Sequence, residues 1–180
     1  MDFTGERYVP TMEGPLKYEH VHRYVLASAF AGGRTVLDLA CGEGYGAAIL
    51  ASTGQVVVGV DADAEIVAHA ADTYEADNLH FLVGACEAVP IADATFDLVT
   101  SFETIEHHDR HDEMLGEIKR LLKPGGVLII SSPSKVSYSD ESGYVNPYHV
   151  RELYYEEFRR LLKKHFRNLR FFGQKFGSGS

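Results

Sequence analysis

Residues 35 to 46 read Thr-Val-Leu-Asp-Leu-Ala-Cys-Gly-Glu-Gly-Tyr-Gly, and this stretch decides the fold class of the chain. An apolar strand that carries Asp38 leads directly into a loop with glycines at positions 42, 44 and 46. Glycine permits a tight turn and lets a ligand approach the backbone without a Cβ atom in the way. The stretch therefore predicts a ligand site at the end of a buried strand.

Short apolar runs alternate with helical patterns along most of the chain. The predicted strands are Val36–Leu39, Val56–Val60, Leu79–Val83, Phe96–Thr100 and Val127–Ile130. The predicted helices are Leu16–Phe30, Ala64–Tyr74, Glu113–Leu122 and a last one from Val150 to His165. Strands that alternate with helices form a parallel sheet covered on both faces. We expect a doubly wound, mostly parallel α/β fold of the Rossmann-like type.

The connections after the third helix carry their own signals. Lys123-Pro124-Gly125-Gly126 is expected to end that helix and turn the chain into the fifth strand. The polar stretch from Pro133 to Pro147 is too long for a routine connection, which predicts a loop that covers a site. A strand is predicted at Leu169–Phe176.

Composition narrows the classes of protein to which the chain can belong. The 180 residues, 45% of them hydrophobic, are enough for one domain with its own core. Seventeen basic and 26 acidic residues give a net charge of −9, which disfavours nucleic acid and anionic lipid as partners. Cys41 and Cys86 have no paired spacing, and the sequence contains no run of about 18 apolar residues. We expect a cytoplasmic protein with no membrane span.

The glycine loop allows two interpretations. Gly42, Gly44 and Ala47 satisfy the G-x-G-x-x-A pattern of nicotinamide dehydrogenases. However, Asp38 would approach the pyrophosphate of a dinucleotide, whereas S-adenosylmethionine has no phosphate and carries an ammonium group. Asp61 ends the second strand, where a carboxylate can bind two ribose hydroxyls. The two acids favour S-adenosylmethionine, and a dehydrogenase remains as a remote alternative.

At these residues the chain resembles the class I S-adenosylmethionine-dependent methyltransferases. The resemblance covers residues 36–132 and rests on five segments in the family's order. They are Leu-Asp-Leu-Ala-Cys-Gly-Glu-Gly-Tyr-Gly, Gly-Val-Asp, Glu87-Ala-Val-Pro, Phe96-Asp97-Leu98-Val99 and Leu122-Lys-Pro-Gly-Gly. The family's sheet normally closes with two further strands, and only one is visible here. The last strand pair is therefore expected to be incomplete and the sequence to be a piece of a longer protein.

The resemblance implies contacts with each part of the cofactor. Asp38, Gly42 and Gly44 would cradle the methionine part, and Asp61 would hold the ribose. Adenine would contact Ala62 and the backbone around Cys86 and Glu87. The implied cofactor-binding residues are Arg7, Tyr8, Asp38, Ala40, Gly42, Gly44, Asp61, Ala62, Cys86 and Glu87.

The segment after the fourth strand carries the residues that could act on an acceptor. If a helical turn begins at Glu103, then Glu103, Glu106 and His107 share one face. The spacing E-x-x-E-H resembles the divalent-metal site of ubiquinone-pathway O-methyltransferases and small-RNA 2′-O-methyltransferases, and His149 lies in a matching region. We expect a magnesium or manganese site of Glu103, Glu106, His107 and His149, with His107 and Glu103 as catalytic residues. The alternatives are His107 as a general base without metal, and a purely structural acidic turn.

The N-terminal segment points to a class of acceptor. Gly5-Glu-Arg-Tyr-Val-Pro and the region 18–24 resemble the leader of methyltransferases from bacterial polysaccharide and O-antigen gene sets, which are often fused to glycosyltransferases. The resemblance implies that Arg7 and Tyr8 fold over the cofactor and that the helix segment His20–Arg23 lines the acceptor side. It also implies a fused or partner glycosyltransferase.

These expectations combine into one functional hypothesis. The chain is expected to be a single domain with an N-terminal cap (1–34), a cofactor-binding core (35–132) and an acceptor-side region (133–180). It would methylate a sugar hydroxyl of a glycan or nucleotide-sugar precursor. One alternative is metal-dependent O-methylation of an RNA 3′-terminal ribose or a catechol-like ring. Another is an S-adenosylmethionine-binding domain without catalytic activity.

Overall fold

A computed structural model describes residues 15–174 of the protein. Five parallel strands form one sheet in the order β3-β2-β1-β4-β5. The strands are β1 (Thr35–Leu39), β2 (Val56–Asp61), β3 (Leu79–Val83), β4 (Phe96–Ser101) and β5 (Leu122–Ile130). The helices are α1 (Pro15–Ala31), α2 (Tyr45–Ala51), α3 (Ala64–Thr73), α4 (His111–Leu121) and α5 (Tyr155–His165). A 3-10 turn at Ile105–His107 and a π-helical turn at Val136–Asp140 complete the described elements.

The sheet is covered on both faces, which confirms the predicted doubly wound α/β class. In β1, Val36 packs with α1 and α2, whereas Leu37 and Leu39 pack with α4 and α5. This alternation follows from the two-residue period of a strand, which sends successive side chains to opposite faces. All five predicted strands are present, and the first three predicted helices agree with α1, α3 and α4 to within two residues at each end.

Two predicted boundaries were wrong. β5 pairs Leu122 with Phe96 and then Val127 with Leu98, so Lys123–Gly126 bulge out of a strand that has already begun. The last helix begins at Tyr155 rather than near Val150. The backbone N–H groups of Val150 and Arg151 donate to the carbonyl of Glu106, which holds these residues outside any helix.

The strand predicted from Leu169 is also wrong over residues 169–174, where the structure has no strand. The Phe171 ring instead makes edge contacts with Tyr155 and Phe158 of α5. Further along, the side-chain amide of Gln174 donates to the carbonyl of Glu19 in α1. Residues 171 and 174 therefore contact α5 and α1 and do not pair with a strand of the sheet. Within residues 15–174, none of the helices is both long and apolar enough to cross a membrane.

Glycines in two helices give a matched test of the packing. A Cβ atom on Gly46 in α2 would lie 2.0 Å from the Tyr24 ring, whereas one on Gly116 in α4 would meet no described atom within 4 Å. We expect Gly46→Ala to lower the free energy of unfolding by about 1–3 kcal/mol through overpacking. Gly116→Ala should raise it by about 0.5–1 kcal/mol because alanine loses less backbone entropy in a helix. Urea unfolding measures both, and equal effects would contradict this packing of α1 on α2.

Candidate active site

The carboxyl ends of β1 and β4 form the crevice in which ligands of doubly wound sheets bind. β1 lies between β2 and β4, and the chain runs from β1 to β2 on one side before β3 continues outward on that side. The strand order therefore reverses between β1 and β4, and this reversal leaves an opening above their carboxyl ends. The glycine loop follows β1, and the Glu103–His107 segment follows β4, so both predicted halves of the site meet here.

Unusual backbone conformations mark both strand ends. Ala40 follows β1 with φ 61°, and Glu103 follows β4 with φ 51°. Residues other than glycine rarely adopt positive φ, and such strain concentrates at functional sites. The hydroxyl of Ser131, after β5, supports the Glu103 conformation by accepting the Glu103 N–H at 3.2 Å. The same hydroxyl donates to the Glu103 carboxylate at 2.6 Å.

The glycines of the loop have different roles. Gly42 has φ 53°, and a Cβ atom built on it would meet no described atom within 4 Å. The space above its Cα atom is therefore open. Gly44 has φ 83°, and its Cβ atom would lie within 3.0 Å of Ala70 and Phe81. Gly44 is therefore required by packing as well as by its backbone conformation, and of these two glycines only Gly42 leaves space for a ligand to approach.

Asp61 ties the glycine loop to the end of β2. Its carboxylate accepts the N–H of Gly42 at 2.9 Å and that of Asp63 at 3.1 Å. Next to it along the chain, Ala62 is exposed. The predicted ribose-binding carboxylate thus bonds directly to Gly42, the one glycine of the loop with open space next to its Cα atom.

The predicted adenine region lies at residues 85–88, where a turn is closed by a bridge between Ala85 and Ala88. Burial, with a contribution from the Asp61 carboxylate, raises the pKa of Cys86 to about 12. Glu87 accepts a hydrogen bond from Arg110 and is half-buried. Arg7 and Tyr8, predicted to cover the cofactor, lie outside the described residues.

Asp38 is fully buried beneath the loop. Its Oδ1 atom accepts hydrogen bonds from the hydroxyls of Thr100 in β4 at 2.8 Å and Tyr24 in α1 at 3.2 Å. Burial raises the pKa of Asp38 to about 7, although these two hydrogen bonds oppose the shift. Asp38 therefore connects three elements of the fold.

Three of the four predicted metal ligands lie together. One ligand atom each from Glu106, His107 and His149 lies within 4.8 Å of the others. The fourth, Glu103, is not in this group, because its carboxylate bonds to Ser131 and forms a 3.5 Å ion pair with Arg23 of α1. Glu106 is almost fully buried, and burial, reinforced by the nearby Glu103 carboxylate, raises the pKa of Glu106 to about 9.

The hydrogen bonds of the two imidazoles define their tautomers. Nδ1 of His107 lies 3.1 Å from the carbonyl oxygen of Tyr148, and Nδ1 of His149 lies 2.6 Å from a Glu152 carboxylate oxygen. These oxygens only accept, so each Nδ1 carries a proton, and the lone pair of the neutral ring is on Nε2. This arrangement is common for histidines that bind metal ions.

Buried polar atoms without a hydrogen-bond partner in the described part of the chain all lie around this crevice. Buried polar atoms usually have partners, so a cluster without them indicates a place for a ligand. Four of the atoms are oxygens, three of them from carboxyl groups, which favours a ligand rich in hydrogen-bond donors or positive charge. The atoms are Arg23 Nη1, Asp38 Oδ2, Glu43 Oε1, Ser101 Oγ and Glu106 Oε2.

Sequence reasoning missed several of these residues. Ser131 directly follows β5, which lies next to β4 in the sheet. This position could have predicted that Ser131 lies close to the residues that follow β4. Glu152 lies three residues after His149, a spacing at which a carboxylate can reach an imidazole. Tyr24 carries no comparable sequence signal, because its role depends on how α1 packs against Asp38. Glu43 carries none either, because its burial is set by tertiary packing.

Comparison with known families agrees with this geometry. A family profile described as "Methyltransferase domain" matches residues 37–130, from within β1 to the end of β5. The chain belongs to this family of methyltransferases. The methyltransferase domain is of class I, which confirms that part of the predicted resemblance. The nicotinamide dehydrogenase alternative loses its basis, since the same glycine loop is part of the matched region.

The methyltransferase domain has similar proteins in several organisms. A Mycolicibacterium smegmatis protein named "probable S-adenosylmethionine-dependent methyltransferase" is 35% identical over 167 residues. The match covers 91% of this chain but only 64% of that protein. The YcgJ protein of Bacillus subtilis has a TM-score of 0.71 at 25% identity, covering 81% of this chain and 68% of that one.

A Haloferax volcanii methyltransferase, solved in complex with the Trm112 activator, has a TM-score of 0.71 at 27% identity. That match covers 83% of this chain and 70% of the other. The names of these three proteins mention no glycan, so the polysaccharide resemblance stays a prediction.

The raised pKa of Asp38 predicts a pH effect on stability. The folded protein holds this proton up to about pH 7, whereas an ordinary carboxyl loses it near 3.8, so raising the pH through this window favours unfolding. The free energy of unfolding of Asp38→Asn should therefore rise relative to wild type from about pH 4 to about pH 7. Urea unfolding across this range measures the difference, with the exposed Asp72→Asn as control. Parallel profiles for Asp38→Asn and wild type would contradict the raised pKa of the buried Asp38 carboxyl.

Proposed function

We propose that the protein is an S-adenosylmethionine-dependent O-methyltransferase that methylates one hydroxyl of a vicinal diol on a sugar, as part of a glycan or nucleotide-sugar precursor. The observation that carries the proposal is the group of Glu106, His107 and His149 beside the strand reversal. In a methyltransferase fold, this crevice is where cofactor and acceptor meet.

The cofactor half of the proposal rests on the residues after β1 and β2. S-adenosylmethionine supplies a methyl group on a positively charged sulfur, together with an ammonium group and two ribose hydroxyls. Asp61 would accept hydrogen bonds from the ribose while it holds the loop through Gly42. The unpartnered oxygens of Asp38 and Glu43 suit the positive charge of the methionine part.

The acceptor half of the proposal rests on the residues after β4. The donor set of one carboxylate and two imidazoles fits a divalent cation, and both imidazole tautomers agree with ligation. Such a cation, magnesium or manganese, would lower the pKa of a bound hydroxyl. Glu106, His107 and His149 would hold it, and Glu103, in its left-handed conformation, would accept the proton from the hydroxyl. Without a cation, His107 is the alternative base.

Exposed aromatic side chains support a sugar as the acceptor. The Tyr144 ring contacts Tyr138, which in turn stacks on His149. The backbone carbonyl of Tyr148 accepts a hydrogen bond from His107, and the Tyr148 side chain is 39% exposed. Aromatic faces pack well against the apolar faces of sugar rings. A partner or fused glycosyltransferase would supply such an acceptor in the cytoplasm, where the sequence predicts the protein to act.

Other acceptors with the same diol chemistry define the alternatives. A 3′-terminal ribose of RNA and a catechol-like ring both offer two neighbouring oxygens. The net charge of −9 and the carboxylates of Glu103 and Glu152 disfavour RNA at this site. A domain that only binds the cofactor is the remaining alternative, and measurement of turnover separates it from the enzymes.

Asp61→Ala should weaken the binding of S-adenosylhomocysteine by about 1.5–3 kcal/mol, because two charge-assisted hydrogen bonds to ribose would be lost. Isothermal titration measures the affinity, with Asp72→Asn as an exposed control on α3. A circular dichroism spectrum checks that the fold is retained, since Asp61 also binds Gly42 and Asp63. Unchanged affinity would remove Asp61 from the cofactor site.

Glu106→Gln should abolish methylation of diol acceptors while S-adenosylhomocysteine binding stays intact. Loss of a metal ligand should reduce turnover by more than about 100-fold, since changes outside the first ligand shell already cost 10–100-fold. Turnover is measured as S-adenosylhomocysteine formed with methyl glycosides, catechol or an RNA end as acceptor, and with singly deoxygenated sugars for comparison. Glu113→Gln on α4 is the control, because this carboxylate is 56% exposed. Loss of cofactor binding in Glu106→Gln would indicate a structural role instead.

A further inference from the structure

Glu152 is a buried carboxylate with both oxygens engaged. One oxygen accepts the Nδ1–H of His149 at 2.6 Å, and the other accepts the hydroxyl of Ser139. The Glu152 side chain is 9% exposed, and the His149 side chain is 8% exposed. Burial of a carboxylate is costly unless strong hydrogen bonds compensate for lost hydration. The hydrogen bond between Glu152 and His149 is thus part of the protein interior and not a chance surface contact.

His149 is held on three sides. Glu152 bonds to its Nδ1 atom, and the Tyr138 ring stacks on its face with centroids 4.9 Å apart and an interplanar angle of 27°. The third contact is with His107, whose ring meets His149 edge-on with centroids 5.1 Å apart. Ser139, the second partner of Glu152, lies in the π-helical turn Val136–Asp140, and such turns are frequent at functional sites.

Main-chain hydrogen bonds fix the position of Glu152 relative to Glu106. Val150 and Arg151 donate their N–H groups to the carbonyl of Glu106 at 2.8 and 3.0 Å. Leu153, on the other side of Glu152, forms a parallel bridge with Ser134. Glu152 is therefore placed relative to Glu106 by main-chain contacts, and its hydrogen bond transmits that placement to the His149 ring.

We propose that Glu152 is a positioning residue that fixes the tautomer and orientation of His149, so that the His149 Nε2 lone pair serves as a ligand for a divalent cation held with Glu106 and His107. The part of this inference that concerns the cation rests on the proposed function. His107 obtains the same tautomer from a neutral carbonyl, whereas His149 obtains it from a carboxylate. A carboxylate partner also makes the imidazole a stronger ligand.

Two measurements on the full chain test this role. The first is the affinity for Mn²⁺, read from the electron paramagnetic resonance signal of free Mn²⁺ without cofactor or acceptor. The second is the tautomer of His149, read from long-range proton–nitrogen spectra of protein with ¹⁵N-labelled histidines and assigned with His149→Gln. The variants are Glu152→Ala, Glu152→Gln and the control Glu156→Gln. Glu156 lies four residues further on in α5 and is 67% exposed.

We expect Glu152→Ala to weaken Mn²⁺ binding by about 10–100-fold and to give a mixture of His149 tautomers. Glu152→Gln keeps an oxygen that accepts the Nδ1 proton, so it should restore the wild-type tautomer and part of the affinity. Glu156→Gln should match wild type in both measurements. An unchanged His149 tautomer in Glu152→Ala, or an equal loss of affinity in Glu156→Gln, would overturn the inference.

The two proposals can fail separately. If wild-type protein binds no Mn²⁺, the metal in the proposed function is wrong and so is the ligand role of His149. The tautomer measurement then still decides whether Glu152 orients the ring. If wild type binds Mn²⁺ and Glu152→Ala binds it equally well with the same tautomer, the proposed function stands and the role of Glu152 is overturned.

Discussion

The pairing of β1 with β4 is the interaction on which the rest of the structure depends. It places Asp38 opposite Thr100, and the hydrogen bond between their side chains joins the two strands where the strand order reverses. The Tyr24 hydroxyl donates to the same carboxyl group and so fixes α1 over this point. Because Arg23 precedes Tyr24, this contact also brings its guanidinium beside Glu103. A buried carboxyl thus organises both strands and the covering helix.

Much of the fold could be predicted because its strands and helices follow the local spacing of apolar residues. All five apolar runs became strands, and β1 and β4 at the centre of the sheet are buried on both faces, as central parallel strands must be. The start of α5 could not be predicted from propensity, because the Glu106 carbonyl captures the N–H groups of Val150 and Arg151 from a distant part of the chain. The apolar residues after Leu169 suggested a strand, but Phe171 makes its contacts with α5 instead.

The candidate site shows a similar division. Glu106 and His107 are predicted from their spacing and His149 from the family resemblance, and the structure places the three together. Glu103 was assigned to the same face on the assumption of a helical turn from that residue. The turn begins only at Ile105, and Glu103 has a positive φ, so its side chain takes a different direction, toward Ser131. Asp38 was assigned to the cofactor, and the structure adds an internal role that only tertiary contacts could reveal.

The hydrogen bonds from residues 150 and 151 to the Glu106 carbonyl have a consequence for how such a site diversifies. They join the segment 144–151 to the Glu106–His107 turn through main-chain atoms alone, which are the same whatever side chains are present. Tyr144, Val145 and Val150 are exposed on that segment. Their side chains can therefore change without removing the bonds that keep His149 beside Glu106. Under the proposed function, substitutions on this surface would change acceptor preference while Glu106 and His149 stay side by side.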